Sequence, residues 1–280
     1  DEFPTADKLP FIPYHRESRR IKGEVRFTLN HITAPYDQEE ALYRTSIAVG
    51  DYPVDHHHAR YTGAEELPRL YFHPVPSFGL PLGTLIPTDV DNMIVAEKSI
   101  SVSNIVNGTT RLQPVVLQIG TAAGTVAALA SKGNISPSQV SVREVQKAIL
   151  DAGGYLLPYL DVAKDDNRFK AYQRIGATGI LKGEGRNVGW ANQTWLRADT
   201  LLLSTELDGL KENYPKMTYQ LPNDTIALTV NDAIGVIENI ISTHGIDNTT
   251  DVKSLANNIF KEYNITIENN LQNITRGEFA

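Results

Sequence analysis

The feature that most constrains the fold is a run without a charged residue, Leu112 to Ser131, in which alanine and glycine recur on every helical face. Its length and composition predict an α-helix, and an uncharged helix of this length is normally buried all round. Glycine lowers helix stability by about 1 kcal/mol relative to alanine. Gly120 and Gly124 therefore indicate close approach by another backbone or by a flat ligand. A core helix packed through small residues is the simpler interpretation.

Three short segments are predicted directly before this helix. We expect a turn at 89–92, a short apolar strand at 93–96 and a polar loop at 99–110. The first turn of a helix leaves backbone N–H groups unpaired and carries the positive end of the helix dipole. A helix that begins near Leu112 would present both to the preceding loop.

Charge balance and cysteine content exclude several kinds of site. The net charge of -7 leaves no basic face for nucleic acid, because Glu17 and Glu24 interrupt the cluster around Arg19. The sequence has no cysteine, which excludes disulfides, iron–sulfur ligation and thiol nucleophiles. We expect no membrane span, because the apolar run from Val115 to Ala130 is shorter than the roughly 20 residues of a span and contains Gln118.

Two upstream stretches alternate apolar and polar residues with the period of half-buried strands. They lie at 25–29 and 46–49, and Gly50 and Pro53 end the second. We expect a mixed, largely antiparallel sheet. Three histidines follow at 56–58, but adjacent strand residues point to opposite faces, so we predict no metal site there.

The second half of the chain predicts a series of helices. A capping box, Ser141 to Glu144, begins the first of them. The glycines of 183–189 nearly match a dinucleotide-binding loop, but their spacing is wrong and no helix follows, so we predict a turn. After a charged linker at 161–167, further helices are expected at 169–177, 201–210, 230–241 and 252–263.

Six segments of the first half carry recognisable motifs. They are Pro-Tyr-His-Arg-Glu-Ser-Arg-Arg-Ile-Lys-Gly-Glu at 13–24, Ile-Ala-Val-Gly-Asp-Tyr-Pro-Val-Asp at 47–55, Asp-Asn-Met-Ile-Val-Ala at 91–96, Ser-Ile-Ser at 99–101, Thr-Arg-Leu-Gln-Pro at 110–114 and the Ala/Gly-rich run at 119–130. Their order and spacing resemble the FAD-dependent oxidoreductase family that includes fumarate-reductase-like and heterodisulfide-reductase-like flavoproteins. The resemblance extends from Leu9 to about Pro158.

The resemblance implies FAD as the cofactor and hydride transfer between flavin and a small or carbohydrate-like substrate. In this family the corresponding helix start faces the pyrimidine edge of the flavin, where negative charge accumulates on reduction. By resemblance, the cofactor-binding residues are Ser101, Arg111, Leu112, Gln113, Gly120 and Gly124.

The resemblance also implies that the segment around Arg16 lies near flavin and substrate. Guanidinium groups bind planar anions, so Arg16 and Arg19 would bind an anionic group, and an ion-pair network with Glu17 and Glu24 is the alternative. The candidates for proton transfer are Tyr14, His15 and His56. The candidate catalytic residues are therefore Tyr14, His15, Arg16, Arg19 and His56.

The unit that holds the FAD pyrophosphate in this family is a strand, a Gly-x-Gly-x-x-Gly turn and a helix. The sequence contains no such unit. We therefore expect the chain to be the C-terminal part of a longer flavoprotein, inactive without its N-terminal dinucleotide-binding half.

The second half resembles S-layer-homology repeats. One copy runs from the helix at 169–177 through Gly-Ile-Leu-Lys-Gly at 179–183 to Arg-Ala-Asp at 197–199, and Thr-Arg-Gly-Glu-Phe at 275–279 closes a partial second copy. The absence of cysteine suits an extracytoplasmic bacterial protein, periplasmic or on the cell surface. Two alternatives follow: binding of an acidic cell-wall polysaccharide through Trp190, Trp195 and Arg197, or lyase-like polysaccharide processing.

We predict an α+β fold with two domains. Residues 1–160 form the C-terminal part of the oxidoreductase domain, with a mixed, largely antiparallel sheet and a buried Ala/Gly-rich helix. Residues 166–280 form an all-α, S-layer-homology-like domain.

Overall fold

The computed structural model describes residues 3–10, 16, 19–55, 72–189, 191–207, 209–246 and 251–280. The mixture of helices with small antiparallel sheets agrees with the predicted α+β class. The helices are α1 (Leu29–Thr33), α2 (Asn104–Thr110), α3 (Gln113–Gly133), α4 (Val142–Asp151), α5 (Phe169–Thr178), α6 (Gly209–Asn213), α7 (Val230–His244), α8 (Val252–Glu262) and α9 (Arg276–Phe279). The strands are β1 (Ser46–Gly50), β2 (Phe78–Pro81), β3 (Glu184–Val188) and β4 (Ala191–Trp195).

Strands β1 and β2 pair antiparallel at the centre of the first half. Val49 lies opposite Gly79, and Gly50 lies opposite Phe78. Both strands are almost completely buried. Position 50 requires glycine, because an added Cβ would lie 2.3 Å from the nearest carbon of the Phe78 ring. The strand predicted at 46–49 is confirmed.

Two other predicted strands are wrong. Residues 25–29 make a single bridge, between Phe27 and Val102, before α1 begins. Residues 93–96 are irregular. Alternation of apolar and polar residues reports an extended segment with one buried face, and it does not show whether a partner strand lies beside that segment.

Helix α2 occupies part of the stretch predicted as a loop. Ser103 caps it, because its hydroxyl accepts a hydrogen bond from the backbone N–H of Val106 at 3.2 Å. Only Arg111 and Leu112 separate α2 from α3. The two helices therefore form a tight corner.

Helix α3 lies along β1, and the side chain of Gln118 joins the two. Its Nε2 donates to the carbonyl of Val49 at 3.2 Å, and its Oε1 accepts from the Val49 N–H at 3.0 Å. This pair of bonds satisfies backbone groups that a strand edge would otherwise leave unpaired. The helix predicted at 112–131 is confirmed.

The prediction that this helix is buried all round is wrong. Gly120 and Gly124 lie on an exposed face, and nothing lies within 4 Å of a Cβ added at either position. Leu117, on the same face, is 70% exposed.

In the part of the chain that the structure describes, α3 is the one helix that is long and apolar enough to cross a membrane, by length and composition alone. The absence of a membrane span stays a prediction.

The buried side chain of Gln173 connects the two predicted domains. Gln173 of α5 accepts from the N–H of Leu156 at 2.8 Å and of Leu157 at 2.7 Å, and donates to the Leu157 carbonyl at 2.9 Å. Buried apolar residues from both sides of position 160 belong to one core. The domain boundary between residues 160 and 166 stays a prediction, and these contacts cross it.

Strands β3 and β4 form an antiparallel hairpin, so the second half is not all-α as predicted. The glycine-rich segment 183–189, predicted as a turn, supplies strand β3. The chain reverses after it at Gly189, whose φ is 57°. Thr194 of β4 donates to the carbonyl of Ser77 at 2.8 Å and accepts from the Ser77 hydroxyl at 3.0 Å. The hairpin is thereby fixed to the first half.

Three short segments of the second half meet in a closed ring of backbone hydrogen bonds. Leu202 N donates to Ile274 O at 2.9 Å, Ile274 N to Leu228 O at 2.9 Å, and Leu228 N to Leu202 O at 2.8 Å. The helix predicted at 201–210 is wrong, because its first residues are extended to form this ring. The helices predicted at 230–241 and 252–263 are confirmed as α7 and α8.

Each segment of the ring is followed by the same capping arrangement, in which a carboxylate accepts the N–H of the residue three positions earlier. This reciprocal contact is half of a capping box. The three pairs are Leu203 with Glu206 at 2.8 Å, Thr229 with Asp232 at 2.8 Å, and Thr275 with Glu278 at 2.7 Å.

Candidate cofactor site

The N-terminus of α3 presents backbone amides without partners among the described residues. Leu112 is extended, with φ −67° and ψ 144°, and its side chain makes no capping bond. The first backbone hydrogen bond of the helix joins Val116 N to Leu112 O at 2.9 Å. Among the described residues, the N–H groups of Leu112, Gln113 and Val115 bind no acceptor, and Pro114 has no N–H. The helix start therefore offers donors together with the positive end of its dipole.

The loop after β1 forms one wall beside this helix start. The hydroxyl of Thr109 donates to the carbonyl of Tyr52 at 2.8 Å. Gly108 allows the loop to come close, because a Cβ there would lie 2.6 Å from the carbonyl oxygen of Asp55. The end of α2 and the loop are thus in direct contact, and the corner leading into α3 is held rigidly.

Arg111, predicted to bind the cofactor, lies at this corner. It is 8% exposed, and its Nη2 donates to the carbonyl of Asp55 at 2.9 Å and lies 3.8 Å from the Asp55 carboxylate. This contact ties the corner between α2 and α3 to the loop. Arg111, paired with Asp55, holds the site in place.

The segment that contains Arg16 also reaches α2. The side-chain amide of Asn107 donates to the Arg16 carbonyl at 3.2 Å, and the side chains of Arg16 and Arg19 are exposed. The structure therefore brings the backbone of residue 16 close to the corner before α3. The other catalytic candidates, Tyr14, His15 and His56, lie outside the described residues, as does Glu17.

The remaining predicted cofactor residues do not converge on the helix start. Ser101 is 2% exposed and lies in the core, where its Cβ would be 2.7 Å from a Cβ added at Gly23. Gly120 and Gly124 lie two and three turns along α3, on its exposed face. The residues that do converge are Arg111, Leu112 and Gln113.

Sequence reasoning assigned no role to Asp51, which lies directly after β1. Desolvation raises the pKa of its carboxyl, opposed by a hydrogen bond with Asn192. Asn192 belongs to β4, so this contact does not place Asp51 at the α3 corner. In the described part of the chain, no group of three or more His, Asp or Glu side chains could hold a metal ion, and residues 56–58 lie outside that part.

The aromatic and basic residues expected to bind polysaccharide lie at the end of the β3–β4 hairpin. The guanidinium of Arg197 stacks over the ring of Trp195 at 4.8 Å and lies 3.3 Å from the Glu184 carboxylate. Trp190 lies outside the described residues. Arg276, from the motif at 275–279, is instead 5% exposed and lies in the interior of the fold.

A helix start that offers backbone amides and the positive end of the helix dipole can bind an electron-rich group. The model of the FAD dependent oxidoreductase family matches residues 2–149, more than half of the chain, and the chain belongs to that family. Its cofactor is FAD and its chemistry is flavin redox chemistry. No curated protein and no solved structure matches the chain.

The residues at the start of α3 fit such a cofactor. The pyrimidine edge of a flavin carries carbonyl oxygens and gains negative charge on reduction. The amides of Leu112, Gln113 and Val115 have no acceptor among the described residues. An acceptor from the cofactor would satisfy this donor set.

Proposed function

We propose that this chain supplies the flavin-facing part of an oxidoreductase that transfers hydride between flavin and a small or carbohydrate-like substrate. The observation that carries the proposal is the set of free amides at the start of α3, a helix of 21 residues, within a chain of the FAD-dependent family. FAD, when bound, supplies the hydride-accepting ring. The chain's own residues orient that ring and stabilise the charge it gains.

The amides of Leu112, Gln113 and Val115 would bind the electron-rich edge, aided by the dipole of α3. An anion at a helix N-terminus gains about 0.3–1 kcal/mol at an exposed site and more in a partly buried one. Arg111, through its contacts with Asp55, holds the corner before α3 in place. The exposed guanidinium groups of Arg16 and Arg19 remain our candidates for an anionic group of the substrate.

We further propose that a separate dinucleotide-binding unit completes the cofactor site and that residues 1–280 alone are inactive. Two observations support this. The sequence has no strand–Gly-x-Gly-x-x-Gly–helix unit. The face of α3 that carries Leu117, Gly120 and Gly124 is apolar and exposed, so a packed neighbour could cover it.

Flavin absorbance tests both parts of this proposal. We expect residues 1–280 to purify colourless, and to retain FAD when co-expressed with a dinucleotide-binding unit of the same family. Gln113→Pro removes one free amide, and proline is tolerated at the first helical position. It should weaken FAD binding by up to about fivefold. Gln113→Ala keeps the amide and is the matched control.

Two outcomes would count against the proposal. Stoichiometric FAD on residues 1–280 alone would overturn the claim that the chain is incomplete. Equal FAD affinity in Gln113→Pro and Gln113→Ala would overturn the role of the α3 amides.

A second candidate function concerns residues 166–280, for which we propose an S-layer-homology-like unit that binds cell-wall polysaccharide outside the cytoplasm. The ring through Leu202, Leu228 and Ile274, with one capping pair after each member, supports an internal repeat. The Arg197–Trp195 stack offers an aromatic face and a charge to a saccharide. Lyase-like processing stays an untested alternative, because Tyr14 and His15 lie outside the described residues.

Retention of the whole chain on insoluble bacterial cell-wall polysaccharide tests this second function. We expect retention, and loss of it in Trp195→Ala. Val188→Ala, at an exposed position of the paired strand β3, is the control that should still be retained. No retention of the unchanged chain would overturn the proposal.

A further inference from the structure

A concave pocket lies between α4 and α5, near the beginning of β1. Its volume is about 330 Å³. This volume falls at the lower end of the range for small-molecule sites. The residues that line it are Arg143, Gln146, Lys147, Leu156, Arg174 and Thr178.

The pocket is positively charged although the chain carries a net charge of -7. Three of its lining side chains are cationic and none is acidic. Lys147 is neutralised, because its Nζ lies 2.6 Å from the carboxylate of Asp151. Among the described residues, neither Arg143 nor Arg174 has a carboxylate partner. Two guanidinium groups therefore share a small cavity without a counter-charge.

The guanidinium of Arg143 is held in position from one side. Its Nη1 lies within hydrogen-bond distance of the Gln146 Oε1 at 2.7 Å and of the carbonyls of Arg44 and Ala177, each at 3.0 Å. Its Nε and Nη2 donate to no acceptor in the described part of the chain. Burial, and secondarily the charge of Arg44, lower the pKa of Arg143. Donors on a fixed guanidinium are thus left for a ligand.

The nearby acidic groups are already engaged. Asp151 binds both Lys147 and Lys170, the latter at 2.8 Å. Glu212 pairs with Arg44. Neither carboxylate is available to neutralise the pocket.

We propose that this pocket binds a small oxyanion, namely the phosphate or carboxylate group of a small molecule, between Arg143 and Arg174. Guanidinium forks match the geometry of both oxyanions. The pocket adjoins the beginning of β1, because Gln146 donates to the carbonyl of Ser46 at 2.9 Å. The α3 corner instead contacts the loop after the other end of β1. The pocket is therefore separate from the flavin-facing site and does not depend on the proposed function.

Titration of sodium phosphate and of sodium acetate into the whole chain, at constant ionic strength, tests the proposal by calorimetry. We expect saturable one-to-one binding of at least one anion. Arg174→Gln should weaken it about tenfold, since a charge-assisted hydrogen bond is lost. Arg143→Gln would remove bonds that hold the fold together, so it is the less suitable variant. Arg174 makes no hydrogen bond or ion pair in the described part of the chain, so Arg174→Gln should leave the fold intact. Arg26→Gln, at an exposed arginine elsewhere, is the matched control.

The two anions distinguish the source of the ligand. Preferential binding of phosphate would indicate a phosphate ester, and preferential binding of acetate a carboxylic acid. Absence of saturable binding for both anions would overturn the proposal. Equal affinities in Arg174→Gln and the unchanged chain would also overturn it, because the anion would then bind elsewhere.

Discussion

The side chain of Gln118 binds both backbone polar atoms of Val49, so one residue in the middle of α3 substitutes for a neighbouring strand along β1. This relationship fixes α3 against β1. The loop at 51–55, which follows β1, is in turn fixed against the corner before α3. The position of the free amides is therefore set by a contact well inside the helix.

Replacing Gln118 should destabilise the fold. Gln118→Leu keeps the size and removes both bonds, which leaves the N–H and C=O of Val49 without partners. We expect a loss of about 1–3 kcal/mol in the free energy of unfolding, measured in urea. Thr121→Ala, on the same helix but exposed, should change it by less than about 0.5 kcal/mol. Equal effects of the two variants would show that the Gln118–Val49 contact contributes little.

Replacing glycine by alanine should change the stability of the chain in opposite directions in α2 and α3. Gly120→Ala meets no atom within 4 Å and should stabilise the chain by about 0.5–1 kcal/mol, because alanine favours the helix. Gly108→Ala would bring a Cβ to 2.6 Å from the Asp55 carbonyl and should destabilise it. Thermal unfolding of both variants measures the difference. A destabilised Gly120→Ala would mean that the exposed face of α3 is covered in the isolated chain.

Arg276 should be necessary for the stability of the second half. It is 5% exposed, donates to the carbonyls of Leu196 at 2.9 Å and Lys182 at 2.7 Å, and pairs with Glu206. Arg276→Met leaves Glu206 without its partner and should cost about 3–5 kcal/mol. Arg197→Gln, whose ion pair with Glu184 is more exposed, should cost less than about 1 kcal/mol. Chemical unfolding measures the free energy of unfolding of both variants. Equal losses in Arg276→Met and Arg197→Gln would contradict a structural role for Arg276.

Acid should weaken the contact between α4 and α5. Hydrogen bonds from Lys147 and Lys170 lower the pKa of Asp151 from 3.8 to about 2. A lowered folded-state pKa contributes stability that is present above the unfolded value and is lost as pH falls through the folded one. We therefore expect the unfolding temperature to fall less steeply between about pH 4 and pH 2 in Asp151→Asn than in the unchanged chain. An unchanged slope in Asp151→Asn would refute the linkage.

The sequence predicted the helices that carry their own local signals. Helices α3, α4 and α5 were expected at nearly their observed bounds, because apolar periodicity and end signals lie within the helix itself. The capping box expected at Ser141 did not form a side-chain bond, although α4 begins there. Free amides at the start of α3 could also be predicted, since they follow from helix geometry alone.

Features that depend on distant residues could not be predicted. The Gln118–Val49 bonds join residues 69 positions apart, so nothing local identifies them. The repeated capping pairs align Glu206 with Glu278, an alignment that the motif at 197–199 does not indicate. The exposure of Gly120 was missed because composition cannot show which face of a helix has a neighbour.

The central claim is that the amides at the start of α3 face the flavin, and amide chemical shifts test it most directly. FAD would be titrated to millimolar concentration into the isotopically labelled chain, and spectra recorded before and after chemical reduction of the flavin. We predict that the N–H resonances of Leu112, Gln113 and Val115 shift more than those elsewhere on α3, and shift further after reduction. Flavin that leaves these three resonances unmoved, or moves only others, would contradict the account.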